Sequence, residues 1–295
     1  MKRLKISKAL IYAIIGTVVI EASFMTYSMV NNQFFNREPQ AAQQPEAPAQ
    51  AIQETPAPEV VDTSKVQIPE EIQDIIRQSD PANFEKNLNN YKTLLVKLDV
   101  HDSSKAEIER LLKGGYKIAD ILTAYDFLYD CYGKKEELEP LVQEKTAGKN
   151  WADTFKQYNS KNPEFVPKAF EPDYLEALMK TPGITKDDIM IADRVAQKIS
   201  KPMKEVMELR LSAKDWKEIN ASLNILNSQR QLPYVPVTAE QVKKYTSGKL
   251  SEQQVVEDLV TAHKMGKTAQ EIVDRAKNGL TREQLYAWCY ETKYY

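Results

Sequence analysis

From residue 69 onward, apolar residues recur every three or four positions, and the strict alternation typical of strands is rare. In the stretch 118–132 these positions fall along one face of a helix. Glycine is used sparingly, nine times in 295 residues, and most of these glycines lie between such stretches, where turns are expected. The pattern predicts an all-α protein.

The helical pattern repeats with a period of about 67 residues, as expected for stacked supersecondary units. We expect an array of three helical repeats at 105–172, 173–237 and 238–295, behind a divergent N-terminal cap at 69–104. Three residue pairs, each following a long helical stretch, mark the period: Gly133-Lys134, Ser200-Lys201 and Gly266-Lys267.

Polar residues with an acidic or amide residue three positions later mark several expected helix starts. They are Ser104, Thr185, Asp215, Thr238, Thr268 and Thr281.

Trp151 and Trp216 open the last helix of the first two repeats, and Arg282 takes this place in the third. We expect both tryptophans to pack each helix onto its neighbour. The alternative is a row of stacking platforms for sugars or aromatic ligands. Further residues expected to anchor the repeats in a core are Ile189, Val206, Ile219, Ile272 and Leu285.

The N-terminus predicts a membrane anchor. Residues 1–8 carry four basic side chains, and residues 9–30 carry a single charge, Glu21. Such a segment is ~33 Å long as a helix, enough to cross a hydrocarbon core of about 30 Å. We expect an uncleaved signal anchor with a cytoplasmic N-terminus and the remaining chain outside the cytoplasm. The alternative is a cleaved signal peptide.

Residues 31–68 form a predicted disordered linker, rich in proline, alanine and glutamine, that holds the folded part away from the membrane.

The C-terminal residues are unusually aromatic. Three of the tyrosines share one helix face and make a candidate interface, because tyrosine is enriched at binding surfaces. The alternative is a capping helix that buries its own tyrosines. The candidate interface residues are Tyr286, Tyr290, Tyr294 and Tyr295.

No catalytic constellation is recognisable in the sequence, and we expect no cofactor or metal. The two histidines are far from each other, and neither cysteine belongs to a C-x-x-C motif. We expect Cys131 and Cys289 to be buried free thiols, and the alternative is a disulfide bond between them. An envelope hydrolase that uses two of Asp120, Asp126 and Asp130 stays open as an alternative. The spacing of Asp126 and Asp130 is nevertheless ordinary for a solvated helix face.

The charge balance disfavours nucleic-acid binding. The chain has 40 basic and 42 acidic residues and a net charge of −2. Residues 205–219 imitate a helix-turn-helix, but a DNA-binding protein needs clustered basic charge for phosphate contacts. The charges here are mixed, so this class ranks below the others.

The string that includes Asp188-Ile189, Ser200-Lys201, Glu205-Val206 and Trp216 resembles short-helix arrays of uncharacterised exported bacterial proteins. The resemblance covers roughly 105–295 and implies a helical scaffold with no activity attached. Together with the predicted anchor, it favours a non-enzymatic binding module for an envelope protein or a wall component.

Overall fold

The computed structural model describes residues 61–295 except Ala169 and Ala213. The predicted basic tail at 1–8, the span at 9–30 and the linker up to residue 60 lie outside the described residues. Among the residues that are described, no helix is both long and apolar enough to cross a membrane. At the end of the predicted linker, Ile68 is buried and its carbonyl accepts a 2.8 Å hydrogen bond from Gln73, so the folded part begins before residue 69.

The described residues confirm the predicted all-α class, with two isolated β-bridges in place of any strand. Short 3₁₀ turns at Pro81–Asn83 and Lys135–Glu137 precede two of the helices. The α-helices are α1 (Glu70–Ser79), α2 (Phe84–Lys97), α3 (Asp102–Lys113), α4 (Ile118–Asp130), α5 (Leu138–Thr146), α6 (Trp151–Lys161), α7 (Pro172–Lys180), α8 (Lys186–Ile199), α9 (Met203–Leu211), α10 (Trp216–Ser222), α11 (Ala239–Tyr245), α12 (Glu252–Met265), α13 (Ala269–Lys277) and α14 (Arg282–Tyr294).

The helices fall into two compact units that the chain enters more than once. The larger unit contains residues 61–165, Asp187–Gln231 and Glu283–Tyr295. Among described residues, the smaller unit contains Val166–Lys186 and Leu232–Arg282. Both units extend across the predicted repeat boundaries, so a sequence repeat does not correspond to a compact unit in this protein.

Helix starts nevertheless recur at nearly even intervals. The long helices α4, α8 and α12 begin at residues 118, 186 and 252, so both intervals are close to the period seen in the sequence. The next helices, α5, α9 and α13, begin at 138, 203 and 269, and α6, α10 and α14 begin at 151, 216 and 282. Each predicted repeat therefore contains a long helix followed by two others in the same order.

The three long helices also end in the same way. A residue in the left-handed region follows each one, at Tyr132 (φ 53°), Ser200 (φ 56°) and Gly266 (φ 61°). The amide of the next residue donates back to a carbonyl five positions earlier, as in a Schellman motif. Tyr132 thus corresponds to Ser200, and Gly133 to Lys201, which corrects the sequence alignment of the first repeat by one residue.

Close packing at the C-terminal end of α4 requires glycine at position 133. A Cβ atom there would lie 2.6 Å from Leu128 Cδ2 and 2.9 Å from Leu128 Cβ, too close for any other residue without a shift.

The helix starts were predicted with mixed success. Thr238 and Thr268 cap their helices as expected, each in a reciprocal capping box. The prediction for Ser104 is wrong: α3 begins at Asp102, and the side chain of His101 accepts from the amide of Ser103 at 3.1 Å. Asp215 precedes α10 but makes no side-chain capping bond.

Candidate functional site

The most distinctive polar cluster in the larger unit joins α14 to α4. Tyr290 Oη donates to Asp130 Oδ2 at 2.8 Å, and Tyr294 Oη donates to Asp126 Oδ2 at 2.7 Å. Tyr295 Oη donates to Asp120 Oδ1. Because successive tyrosines meet the aspartates in reverse order, the two helices run in opposite directions. We call these three hydrogen bonds the α14–α4 contact.

The α14–α4 contact is closed to solvent over most of its length. Tyr290 and Tyr294 are each 2% exposed, and burial raises the pKa of both phenols well above the usual value, an effect that the nearby aspartates reinforce. Both phenols therefore stay protonated at neutral pH and act as hydrogen-bond donors.

The predicted tyrosine interface must be corrected at Tyr290 and Tyr294, because buried side chains cannot form an exposed surface. Tyr286 is half-buried, with its ring centroid 6.3 Å from that of Tyr290, and Tyr295 is 47% exposed. The arrangement fits the alternative of a helix that buries its own tyrosines. A partner contact through Tyr286 or Tyr295 stays a prediction.

The same contact corrects the prediction for the aspartates. Asp126 is buried and Asp130 is half-buried, so the two do not form a solvated helix face, and each accepts a hydrogen bond from the phenol of a distant tyrosine. Asp120 is buried as well and accepts from Tyr295. Lys293 Nζ also reaches Asp126 Oδ2 at 2.6 Å. The alternative of a hydrolase that uses two of these aspartates stays a prediction.

Aromatic rings continue the packing beneath α14. Phe155 of α6 lies edge-on to Tyr290, with 6.0 Å between ring centroids, and stacks on Phe127 of α4 at 3.9 Å. Trp151 stacks on Phe155 at 5.4 Å. Such pairs add to the energy of burying the rings, so the helix is held by both apolar and polar contacts.

The two tryptophans and the other predicted anchors all lie in cores. Trp151 is fully buried and Trp216 is 2% exposed, so neither offers a solvent-facing platform for a ligand. This burial agrees with the expected packing of both side chains. The remaining predicted anchors, which are also buried, are Ile189, Val206, Ile219, Ile272 and Leu285.

Each tryptophan is paired with an aspartate, but in two different ways. Trp216 Nε1 donates directly to Asp188 Oδ1 at 2.7 Å, and Arg210 Nε donates to the same oxygen at 2.7 Å. Trp151 Nε1 instead donates to Tyr295 Oη at 3.1 Å, and that hydroxyl donates to Asp120. No local pattern signals this difference, because Tyr295 and Trp151 lie at opposite ends of the repeat array.

Lys198, in the larger unit, is surrounded by residue types that also occur in catalytic sites. Its hydrogen bonds, however, are those expected of a lysine with a structural role. Lys198 Nζ lies 3.0 Å from Glu137 Oε1, 2.7 Å from Tyr158 Oη and 2.8 Å from Asn162 Oδ1. These three acceptors match the three donors of an ammonium group. Burial, reinforced by the charge of Glu137, raises the pKa of Tyr158, which keeps it from acting as a base at neutral pH.

Potential metal ligands and cysteines were compared across the part of the chain that the structure describes. No group of three or more His, Cys, Asp or Glu side chains is placed to hold a metal ion within it. Cys131 is half-buried and Cys289 is buried, and the two do not form a disulfide bond. The expected burial is therefore found for Cys289 and only in part for Cys131.

Asp258, in the smaller unit, has a strongly perturbed carboxyl group. It lies on α12 next to the buried Val255 and Leu259, it is 8% exposed, and its Oδ2 atom has no hydrogen-bond partner. Burial, reinforced by the charge of Glu257, raises the pKa of Asp258 to about 7. No feature of the sequence marked this residue.

We expect Asp258→Asn to change how stability depends on pH. Folded Asp258 holds its proton up to about pH 7, whereas the unfolded chain releases it near the ordinary aspartate pKa of 3.8. Stability therefore falls as the pH rises through this window and stays low above it. The asparagine variant lacks this loss, so at pH 8 it should be more stable than the wild type by roughly 2–4 kcal/mol, with the difference gone at pH 4.

Urea unfolding at pH 4 and pH 8 measures this difference, with hydrogen exchange of the α12 amides as the readout. Tryptophan fluorescence would not report on α12, because all three tryptophans lie in the larger unit. The exposed Glu252→Gln is the matched control and should change stability by less than about 0.5 kcal/mol at either pH. Parallel pH profiles for wild type and Asp258→Asn would contradict the buried, protonated carboxyl.

Comparison of the chain with protein-family models, with curated proteins and with solved structures gives no match.

Proposed function

We propose that the chain is a membrane-tethered, extracytoplasmic helical-repeat protein that serves as a non-enzymatic binding or scaffold module for a cell-envelope protein or wall component. The observation that carries the proposal is the N-terminal sequence, in which Lys2, Arg3, Lys5 and Lys8 precede the apolar segment 9–30. Basic residues on one side of an apolar span favour its cytoplasmic side, which sends the chain after residue 30 outward.

The bonding in the helical part supports a scaffold over an enzyme. The carboxylates of α4 accept from tyrosines, and the ammonium of Lys198 is surrounded by acceptors. Groups bonded in this way stiffen a helical framework, since their geometry is fixed by partners far away in sequence. The competing function, an envelope hydrolase, would need two carboxylates that converge on a substrate cleft.

A reporter fused after Tyr295 tests the topology on which this proposal rests. We expect a reporter that is active only after export to be active, and one that is active only in the cytoplasm to be silent. Replacing Lys2, Arg3, Lys5 and Lys8 with glutamine provides the control and should lower the exported fraction several-fold. A fusion active only in the cytoplasm would overturn the tether and restore nucleic-acid binding as an alternative.

A further inference from the structure

Asn278 is the one asparagine in the sequence that a glycine follows directly. Asn278 and Gly279 are both exposed and form the turn after α13, where Asn278 has φ −86° and ψ 8° and Gly279 has φ 90°. Among the described residues, the side-chain amide of Asn278 makes no hydrogen bond, although its main-chain amide donates to the carbonyls of Asp274 and Arg275. The side chain is therefore available to react with the adjacent main chain.

The first repeat builds the same turn without an asparagine. Ala147 and Gly148 follow α5 with φ values of −73° and 94°. In both turns the glycine amide donates to the carbonyl three residues earlier at 2.9 Å, and the next amide donates to the carbonyl five residues earlier. Since alanine supports this geometry, the amide group of Asn278 is not needed to hold the turn.

An asparagine before a glycine is prone to lose its amide, because glycine has no side chain to hinder attack by its nitrogen. The main-chain nitrogen of Gly279 bonds to Cγ of Asn278, its proton passes to the side-chain nitrogen, and that nitrogen leaves as ammonia. The product is a cyclic imide. Water then adds to either imide carbonyl and breaks its bond to the ring nitrogen, which gives aspartate or isoaspartate. Neither step needs an oxidant or any reactant besides water.

One hydrogen bond hinders this attack. The Gly279 amide donates to the carbonyl of Ala276 at 2.9 Å, so the turn has to open before the nitrogen reaches Cγ. The bond lies at the exposed end of a helix, where opening requires little free energy. By contrast, Asn227, which precedes Ser228, is 2% exposed, and its side-chain amide donates to the carbonyl of Tyr129 at 3.0 Å. The fold thus leaves one asparagine accessible and protects the other.

We propose that Asn278 is a site of spontaneous deamidation that loosens the end of α13. The new carboxylate lies at the C-terminal end of a helix, where negative charge is unfavourable, and four residues after Asp274, which bears the same charge. Isoaspartate also adds a carbon atom to the main chain, which displaces the amide of Leu280 from the carbonyl of Arg275. The proposal does not depend on the function proposed above.

Mass spectrometry of the full chain in detergent solution tests the proposal. The folded protein and the protein unfolded in urea are kept in mildly alkaline buffer, because loss of the Gly279 amide proton promotes the attack. Samples are digested at intervals, and the peptides are compared for the mass change that replacement of ammonia by water produces. Enzymatic methylation of the isoaspartate carboxylate identifies the second product. We expect folding to slow conversion at Asn227 at least about tenfold more than at Asn278.

Asn278→Ala is the matched control, since Ala147 shows that alanine fits this turn. This variant should form no product at position 278, and its hydrogen exchange should not change during the incubation. Asn278→Asp imitates one of the two products. Its amides at Gly279 and Leu280 should exchange roughly twofold to fivefold faster than those of the unconverted chain, because the added charge weakens the end of the helix.

Two results would overturn the proposal. The site itself is wrong if the slowing on folding differs by less than tenfold between Asn278 and Asn227. The loosening of α13 is wrong if the amides of Gly279 and Leu280 exchange at the same rate in the unconverted chain, in the converted fraction and in Asn278→Asp.

Discussion

Trp216→Ala should lower the free energy of unfolding of the larger unit by about 3–5 kcal/mol, the range for deleting a buried aromatic side chain. Trp216 is 2% exposed, and its indole N–H and the guanidinium of Arg210 both donate hydrogen bonds to Asp188. Alanine leaves a cavity and removes one of the donors to a buried carboxylate. Urea unfolding, followed by the fluorescence of the remaining tryptophans, measures the loss.

Trp216→Phe is the matched variant, since it keeps an aromatic ring and removes the indole donor. Its cost should be smaller than that of alanine, which separates packing from hydrogen bonding. A change below about 0.5 kcal/mol for Trp216→Ala would contradict the buried position.

Tyr294→Ser should cost a similar amount, about 3–5 kcal/mol, because it removes a buried ring and a donor to Asp126. Tyr294→Phe keeps the ring and should cost about 1–3 kcal/mol, the penalty for a buried carboxylate that loses a partner. The difference between the two variants reports how much of the α14–α4 contact is polar. Unfolding in urea with tryptophan fluorescence applies here as well.

Tyr234→Ser serves as the control for the tyrosine series. Tyr234 is 66% exposed, so its replacement should change stability by less than about 0.5 kcal/mol. If Tyr294→Ser were as mild as this control, α14 would not be docked through its tyrosines.

The periodic features of the fold were predictable because short sequence motifs mark them and recur along the chain. Helix starts recur at close to the period found in the sequence, and the capping boxes at Thr238 and Thr268 each form within the first turn of a helix. Burial of Trp151 and Trp216 also followed from their place at the start of a repeated helix. The capping predictions depend on neighbours within one turn of helix, and the others depend on a pattern that recurs along the chain.

The site was not predictable because its partners are distant in sequence. Tyr294 and Tyr290 lie at the end of the chain, whereas Asp126 and Asp130 belong to the first repeat. A tyrosine stripe on an isolated helix is equally consistent with an exposed surface or a buried one, and only the tertiary partner decides between them. The same applies to Asp258, which has a raised pKa because of its burial on α12.

The sequence repeat also did not predict how the helices divide into two compact units. The period describes how helices follow one another, whereas compactness depends on which helices pack together. Residues 232–282 continue the repeat pattern but belong to a different unit from residues 283–295, which contain all of α14 except Arg282. Helix order and helix packing are thus specified by different parts of the sequence.

The most direct test of the proposed tether is the behaviour of the untagged chain in membranes. Membranes washed with high salt and then with alkaline carbonate should retain the chain, because an apolar segment long enough to span the bilayer, such as 9–30, resists both treatments. Protease added from outside cells stripped of their outer layers should digest the helical part, while a cytoplasmic control protein stays intact. A chain that washes off the membrane, or that survives protease until the cells are lysed, would contradict the account.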